Sequence, residues 1–189
     1  LIDFLDLVSL GTVCDVVPLI GLNRAIVKQG LKILKNKKNI GLKTLLDICK
    51  VEEHPTPYHL GYVLGPRINA GGRVGKCTHG ANLLLNIDTK EAFKLATDLN
   101  MYNKERQILE KNLLEEVFKK AKDVSEPIIV LNGENWHEGI IGIVASRIKE
   151  KFNKPAIIIS TNNEIGKASA RSINGFDIGS IIISCVQKK

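Results

Sequence analysis

Four stretches of the 189-residue sequence carry side chains that could hold a metal ion or a phosphate. Asp15 sits in Thr-Val-Cys-Asp-Val-Val-Pro-Leu with apolar neighbours on both sides, and a buried, unpaired carboxylate is costly. Two readings are open: a cap for the turn before Pro18, or a metal ligand at a strand end. Residues 65–76 read Gly-Pro-Arg-Ile-Asn-Ala-Gly-Gly-Arg-Val-Gly-Lys. Gly71 and Gly72 permit close backbone approach and positive φ, while Arg67, Asn69, Arg73 and Lys76 supply donors with no acid among them. A phosphate-binding loop has that composition, and so does a connection whose arginines pair with surface acids.

The third stretch is Lys-Ala-Ser-Ala-Arg-Ser at 167–172, where Ser169 and Arg171 face the same way if the chain is extended. An approaching ligand or a plain solvent-exposed edge fits it. The fourth, Asn-Trp-His-Glu-Gly-Ile-Ile-Gly at 135–142, directly precedes a helical pattern. His137-Glu138 is not a zinc motif of the H-E-x-x-H type, because position 141 is Ile. Gly139 and Gly142 would let the helix start pack tightly, with free amides open to an anion. Trp136 fits packing better than base stacking.

Composition bounds what these stretches can serve. The chain carries 27 basic and 20 acidic residues, a net charge of +7, with 44% hydrophobic and 25% charged residues. That is globular, with room for one domain or two small ones. The positive excess is spread thinly along the chain, so it suits a polyanion partner and a solvated lysine surface equally. Only six of the basic residues are Arg, and three of them, Arg67, Arg73 and Arg171, lie in the Gly- or Ser-rich stretches. The planar guanidinium donates two parallel bonds to a phosphate where lysine acts as a point charge. Cys14, Cys49, Cys77 and Cys185 include no C-x-x-C pair, which argues against zinc and for reduced thiols in the cytosol. No apolar run is long enough for a membrane span. Met101 is the sole methionine, and both ends of the sequence are apolar, as expected for part of something longer.

The elements that must position these residues follow from periodicity. Residues 5–19 read as a buried strand and turn. Helical patterns follow at 23–34, 41–49 and 58–64, then residues 65–76 as a loop, then a short helix capped by Thr78. From 89 to about 124 there is neither Gly nor Pro, and Asp88 with Glu91 has capping-box spacing. This predicts one long helix, about 50 Å if unbroken, with 100–103 as its weakest point. The β-branched runs at 127–131 and 155–160, each behind a proline, read as strands buried on both faces. With a helix at 140–152 between them they predict a parallel crossover. A second polar loop covers 161–172, and 178–186 is a helix or a strand.

Taken in order, these blocks resemble the RecJ family of single-strand-specific DNA exonucleases within the DHH phosphoesterase superfamily. LDLVSLGTVCDVVPL resembles its fourth DHH motif, GPRINAGGR its signature loop, and WHEGIIGIVASRI with KASARSINGFDI the DHH-associated domain. The resemblance implies an α/β fold. Residues 1–88 would be the C-terminal part of a DHH domain, 89–124 a linker helix, and 125–189 an associated domain with a mixed sheet. It implies a 5′→3′ exonuclease of DNA repair and recombination that binds two divalent ions, Mn2+ or Mg2+. Asp15 would be a catalytic metal ligand. Arg73, Ser169 and Arg171 would hold phosphates, with Arg67, Asn69 and His137 as further substrate contacts.

The implied partners are single-stranded DNA and a helicase or single-strand-binding protein. A monomeric, cytoplasmic protein without membrane contact is expected. The family's Asp-His-His triplet, its Gly-Gly-His segment and an OB-type domain do not occur in these residues, and Ala168 replaces the usual glycine before the serine. This stretch is therefore expected to be inert by itself. Two other readings are a DHH phosphodiesterase of short oligonucleotides or cyclic dinucleotides, and a non-catalytic RecJ-like nucleic-acid-binding protein.

Overall fold

The computed structural model describes every residue except Leu1, Lys37 and Lys189. It divides into two units, Leu1–Glu105 and Arg106–Lys189. The boundary falls inside one uninterrupted helix, α6 (Thr89–Lys122). No break occurs at 100–103. Asp88 Oδ1 accepts from the Glu91 N–H at 2.8 Å, so the capping expected there forms.

Among the described residues the first unit is helical throughout: α1 (Leu5–Cys14), α2 (Gly21–Lys35), α3 (Ile40–Ile48), α4 (Gly65–Val74), α5 (Thr78–Leu85) and the start of α6. The strand predicted at 5–19 is instead α1. Its apolar residues fall at helical spacing, with Leu10 buried and Leu7, Val13 and Cys14 packed at the core's edge. The hydroxyls of Ser9 and Thr12 fold back onto Leu5 O (2.6 Å) and Val8 O (2.8 Å), four residues earlier. Contact with α2 explains why a Val-rich run takes this form. A Cβ at Gly30 would lie 1.8 Å from Ser9 Oγ and 2.1 Å from Leu5 O, so the two helices meet backbone to backbone. Ser9 Oγ also donates across that seam to Ile26 O at 3.1 Å.

The loop expected at 65–76 is mostly helix. A wide π-helical turn, His59–Leu64, runs directly into α4, and the Gly65 N–H reaches back five residues to Leu60 O. Pro66 takes the first turn, where its missing N–H costs nothing. Leu60 and Leu64 are fully buried with Leu42, Leu45, Leu46 and Leu83. Asn39 closes this core polar-side out: Oδ1 caps α3 through the Leu42 N–H, while Nδ2 donates to Leu84 O. Thr78 begins α5 without capping it by a side-chain bond.

The second unit contains the predicted crossover. β1 (Ile129–Glu134) and β2 (Ala156–Asn162) are parallel, joined by α7 (Glu138–Phe152), and β3 (Ile165–Arg171) pairs antiparallel with β2. The sheet is therefore mixed, in the order β1-β2-β3. The loop expected at 161–172 is a hairpin, because Asn163 and Glu164 both take positive φ (45° and 67°) in the two-residue turn that reverses the chain. The strands are not buried on both faces: Val130 of β1 is 52% exposed and β2 alternates. The ambiguous C-terminal run is a helix, α8 (Ile178–Gln187), capped by Asp177. Hydrogen bonds from Ser180 hold the Asp177 carboxyl below the usual carboxylate range.

Trp136 packs as expected. Its indole covers Gly133, where a Cβ would lie 2.1 Å from the ring, and Nε1 donates to Glu116 at 3.2 Å. Glu116 also accepts from Lys120, whose hydrogen bond is the main cause of its lowered pKa. Lys154 Nζ ties down the segment leading into β1 by donating to the carbonyls of Val124, Ser125 and Glu126.

Glycine contact therefore sets stability unevenly. Gly30→Ala is expected to cost about 1–3 kcal/mol by overpacking. Gly72→Ala, whose Cβ meets nothing nearer than 4.0 Å, should be neutral or stabilising by about 1 kcal/mol through helix propensity. Urea denaturation of the two variants beside the parent chain measures both.

Candidate phosphate-binding and metal-ligand residues

Asp15 is exposed, which overturns the buried carboxylate expected from its neighbours. It is the C-cap of α1, its N–H bonded to Gly11 O at 2.9 Å. Val16 N donates to Val13 O (3.1 Å) and Val17 N to Thr12 O (3.2 Å), the bond pair of a Schellman ending. The residue that turns the chain there is normally glycine; here it is Val16, at φ 56° and 86% exposed. A β-branched residue in the left-handed region is strained, and such strain gathers where function demands a geometry. A carboxylate at a helix C-terminus also opposes the helix dipole. The dipole cost falls on Asp15, whose motif suggested a metal ligand, and the strain on its neighbour Val16.

The α1 end is held in place by glycines. A Cβ at Gly65 would lie 2.5 Å from Cys14 Sγ, and one at Gly61 3.2 Å from Val13 Cγ1. Cys14 Sγ is directed at Leu60 O (3.6 Å), and burial raises its thiol pKa. That is a packing cysteine.

The glycines of 65–76 serve packing in the same way. Among the described residues only Gly21 and Gly175 are glycines with positive φ, so no nest of loop amides forms at 71–72. A Cβ at Gly71 would meet Lys76 O at 2.8 Å and Leu99 at 3.2 Å. Arg67 is half-buried and committed to the fold, with Nε donating to Asn100 Oδ1 (3.0 Å) and Nη1 to Val63 O (2.6 Å). Asn69 and Arg73 are exposed on the outer side of α4. Whatever they bind, they bind through side chains on a helix.

In the second unit Ser169 and Arg171 do share a face of β3, and that face meets α7 at Gly142. A Cβ at Gly142 would lie 3.1 Å from Ser169 Oγ and 3.4 Å from Arg171 Nη2. Arg171 Nη1 donates to Ala170 O at 2.9 Å, and among the described residues no carboxylate pairs with it. One turn nearer the helix start, Glu138 holds Lys167 at 2.6 Å. Glu138 and Gly142 are one helical step of four apart, as Lys167 and Ser169 are one step of two apart on the strand. The result is a short row: an ion pair, then a hydroxyl and a guanidinium beside a bare stretch of helix. His137 caps α7, its Nδ1 accepting from the Gly139 N–H at 3.1 Å. Sequence reading missed the Lys167–Glu138 pair, for which the 138/142 and 167/169 spacings were the available signal.

Residues 125–188 match the family model described as the DHHA1 domain. Over 192 residues the chain is 35% identical to the single-stranded-DNA-specific exonuclease RecJ of Bacillus subtilis, covering 97% of this chain and 24% of that protein. It is 38% identical over 184 residues to the protein of the same name in Escherichia coli, covering 93% and 32%. The crystal structure of RecJ from Thermus thermophilus in complex with Mg2+ superposes with a TM-score of 0.88 at 32% identity, covering 98% of this chain and 29% of that one. Nearly the whole chain is similar to one part of these RecJ exonucleases. It spans roughly a quarter to a third of the length of these curated relatives. A RecJ exonuclease bound to manganese matches at a TM-score of 0.86 and 34% identity, covering 96% and 46%.

Those two crystal structures hold Mg2+ and manganese. Among the described residues no three His, Cys, Asp or Glu side chains gather. Asp15 belongs to no such group, so the described residues do not by themselves form a two-metal site.

Two expectations follow from the geometry. Val16→Gly should relieve the strain and raise stability by about 1 kcal/mol, read as a higher urea midpoint. Glu138→Gln removes a negative charge beside Ser169 and Arg171, and should tighten inorganic phosphate binding about two- to fivefold in an NMR titration.

Proposed function

We propose that this chain acts as part of a RecJ-type exonuclease that degrades single-stranded DNA from the 5′ end by phosphodiester hydrolysis. The observation that carries this reading is the meeting of Ser169 and Arg171 at Gly142. A guanidinium without an acidic partner, a hydroxyl and a helix face without a Cβ offer a terminal phosphate charge-assisted donors and room to enter. Arg73, exposed on α4, is proposed as a phosphate contact of the first unit, with Asn69 beside it on the same side. Arg67 and His137 would act indirectly, Arg67 by anchoring α4 and His137 by ordering the start of α7.

Asp15 is proposed as one ligand for a divalent ion, Mn2+ or Mg2+. The strain at Val16 and the unfavourable dipole support a role other than stability. A single carboxylate does not hold two metals, so residues 1–189 alone are proposed to bind DNA without cutting it. Residues 1–88 and 125–189 are read as the DHH-derived and DHH-associated parts, with 89–124 as the linker. Work in repair and recombination, alongside a helicase or single-strand-binding protein in the cytoplasm, completes the reading. No helix among the described residues is long and apolar enough to cross a membrane.

Fluorescence anisotropy with one oligonucleotide, 5′-phosphorylated or 5′-hydroxyl, tests it. Arg171→Ala should weaken the phosphorylated strand about tenfold, or roughly 1.4 kcal/mol, and leave the hydroxyl strand unchanged. Arg147→Ala, whose guanidinium pairs with Glu110 and Glu150, is the control. Equal affinity for the two strands by the unaltered chain would overturn the phosphate assignment. In the same samples Mn2+ should release no nucleotides. Degradation that Asp15→Asn abolishes would show that the chain is active alone.

A further inference from the structure

The first unit displays two aromatic rings that lie mostly in solvent. Tyr58 and Tyr62 stack with centroids 5.3 Å apart and planes 21° from parallel, yet they are 62% and 74% exposed. Aromatic rings left in water at that level forgo most of the free energy of burial. The pair is also preorganised. His59 stands edge-on to Tyr58 at 5.7 Å, and its Nδ1 is held by the Thr56 N–H (3.0 Å) and hydroxyl (2.9 Å). Beneath it Leu60 and Leu64 are fully buried, and Gly61 abuts Val13 at the α1 end that carries Asp15. The wide π-helical turn that carries Tyr62 is a rare form that tends to mark functional sites.

We propose that the Tyr58–Tyr62 stack is a base-stacking platform for a single-stranded polynucleotide, deepening and resting on the function proposed above. Tyr62, Asn69 and Arg73 follow at spacings of seven and four along one continuous helical run, all exposed while Leu64, Ala70 and Gly71 are buried. They therefore share its solvent side, with about 16 Å of helix between Tyr62 and Arg73. Flat rings at one end and a guanidinium at the other are the two parts a single strand needs, a face for bases and a cation for phosphate. Glu52 and Glu53 share a cleft with Lys50, Tyr58 and His59, and the two carboxylates outweigh the one ammonium. Their charge repels phosphate, which directs the sugar-phosphate chain to the Tyr62 and Arg73 side and leaves bases to meet the rings. Because every base has a π-face, the platform is indifferent to sequence.

The experiment compares a 5′-hydroxyl oligothymidylate with an abasic strand of the same length, binding residues 1–189. The hydroxyl end removes the terminal-phosphate contact of Ser169 and Arg171 from the comparison. The unaltered chain should favour the base-bearing strand about 5- to 50-fold. Tyr58→Ala with Tyr62→Ala should abolish that preference, and Tyr58→Phe with Tyr62→Phe, which keeps both faces, should retain it. A 5-iodouracil strand irradiated with the unaltered chain should form adducts at Tyr58 or Tyr62, a readout that needs no variant. Equal binding of both strands by the unaltered chain, or adducts only elsewhere, overturns the platform. So does a dimer in sedimentation that the double alanine variant dissolves, since the stack would then serve a protein contact. If Arg171→Ala weakens phosphorylated DNA while the tyrosine variants change nothing, the platform alone fails. If the unaltered chain binds no strand, the functional reading fails with it.

Discussion

Backbone packed directly against a neighbouring element, with no Cβ between, is the contact from which both units take their geometry. Gly30 admits Leu5 O and Ser9, and Gly41 admits Leu83 O, where a Cβ would come within 2.0 Å. Gly65 receives Cys14 in the same manner and so fixes the end of α1 beside the start of α4. In the second unit Gly133 takes the face of Trp136, and Gly142 opens α7 to Ser169 and Arg171. Each contact costs the helix or strand propensity, roughly 0.5–1 kcal/mol per glycine. Each allows an approach that a Cβ would have prevented. The residues singled out for chemistry, Asp15, Ser169 and Arg171, all sit on elements placed this way.

Electrostatics at helix ends separates the two units. At the start of α7 the arrangement is favourable: Glu138 lies in the first turn, where negative charge is stabilised. Lys167 then neutralises it, and among the described residues no carboxylate pairs with the guanidinium of Arg171. At the end of α1 the arrangement is unfavourable, with Asp15 at the negative pole and Val16 in a conformation suited to glycine. Stability alone explains the first and not the second. An anion held at β3 would join a field already prepared for it, whereas a cation near Asp15 would relieve a charge the helix resists.

How far the sequence could be read depended on whether a signal was local. Caps and crossovers are local. Asp88 before Glu91 and the β-branched runs behind Pro127 and Pro155 foretold the start of α6 and the parallel β1-α7-β2 crossover. The facing of Ser169 and Arg171 followed from strand alternation, needing only that the segment be extended. The two larger misreadings were of glycine and of an apolar run. Residues 65–76 looked like a loop because five of twelve are Gly or Pro, yet they are chiefly α4, since their glycines answer to Cys14 and Leu99 from other parts of the chain and to Lys76 just past the helix. Residues 5–19 looked like a strand because Val and Leu crowd there, yet α2 offers a helical groove and no strand for them to pair with.

What the sequence by itself determined is the inventory and the local order: which side chains are available, which segments alternate, and which exonucleases the pattern resembles. Tertiary structure decided what each glycine is for, and with it where the inventory points. Arg67 turned inward to Asn100 and Val63 while Asn69 and Arg73 stayed outside, although all belong to one motif. Asp15, apolar on both sides in sequence, emerged exposed because a helix ends under it. The physical reason is range. Propensity, capping and alternation act within about one turn, so the sequence prints them, whereas the absence of a Cβ has meaning only through the distant atom that fills its place.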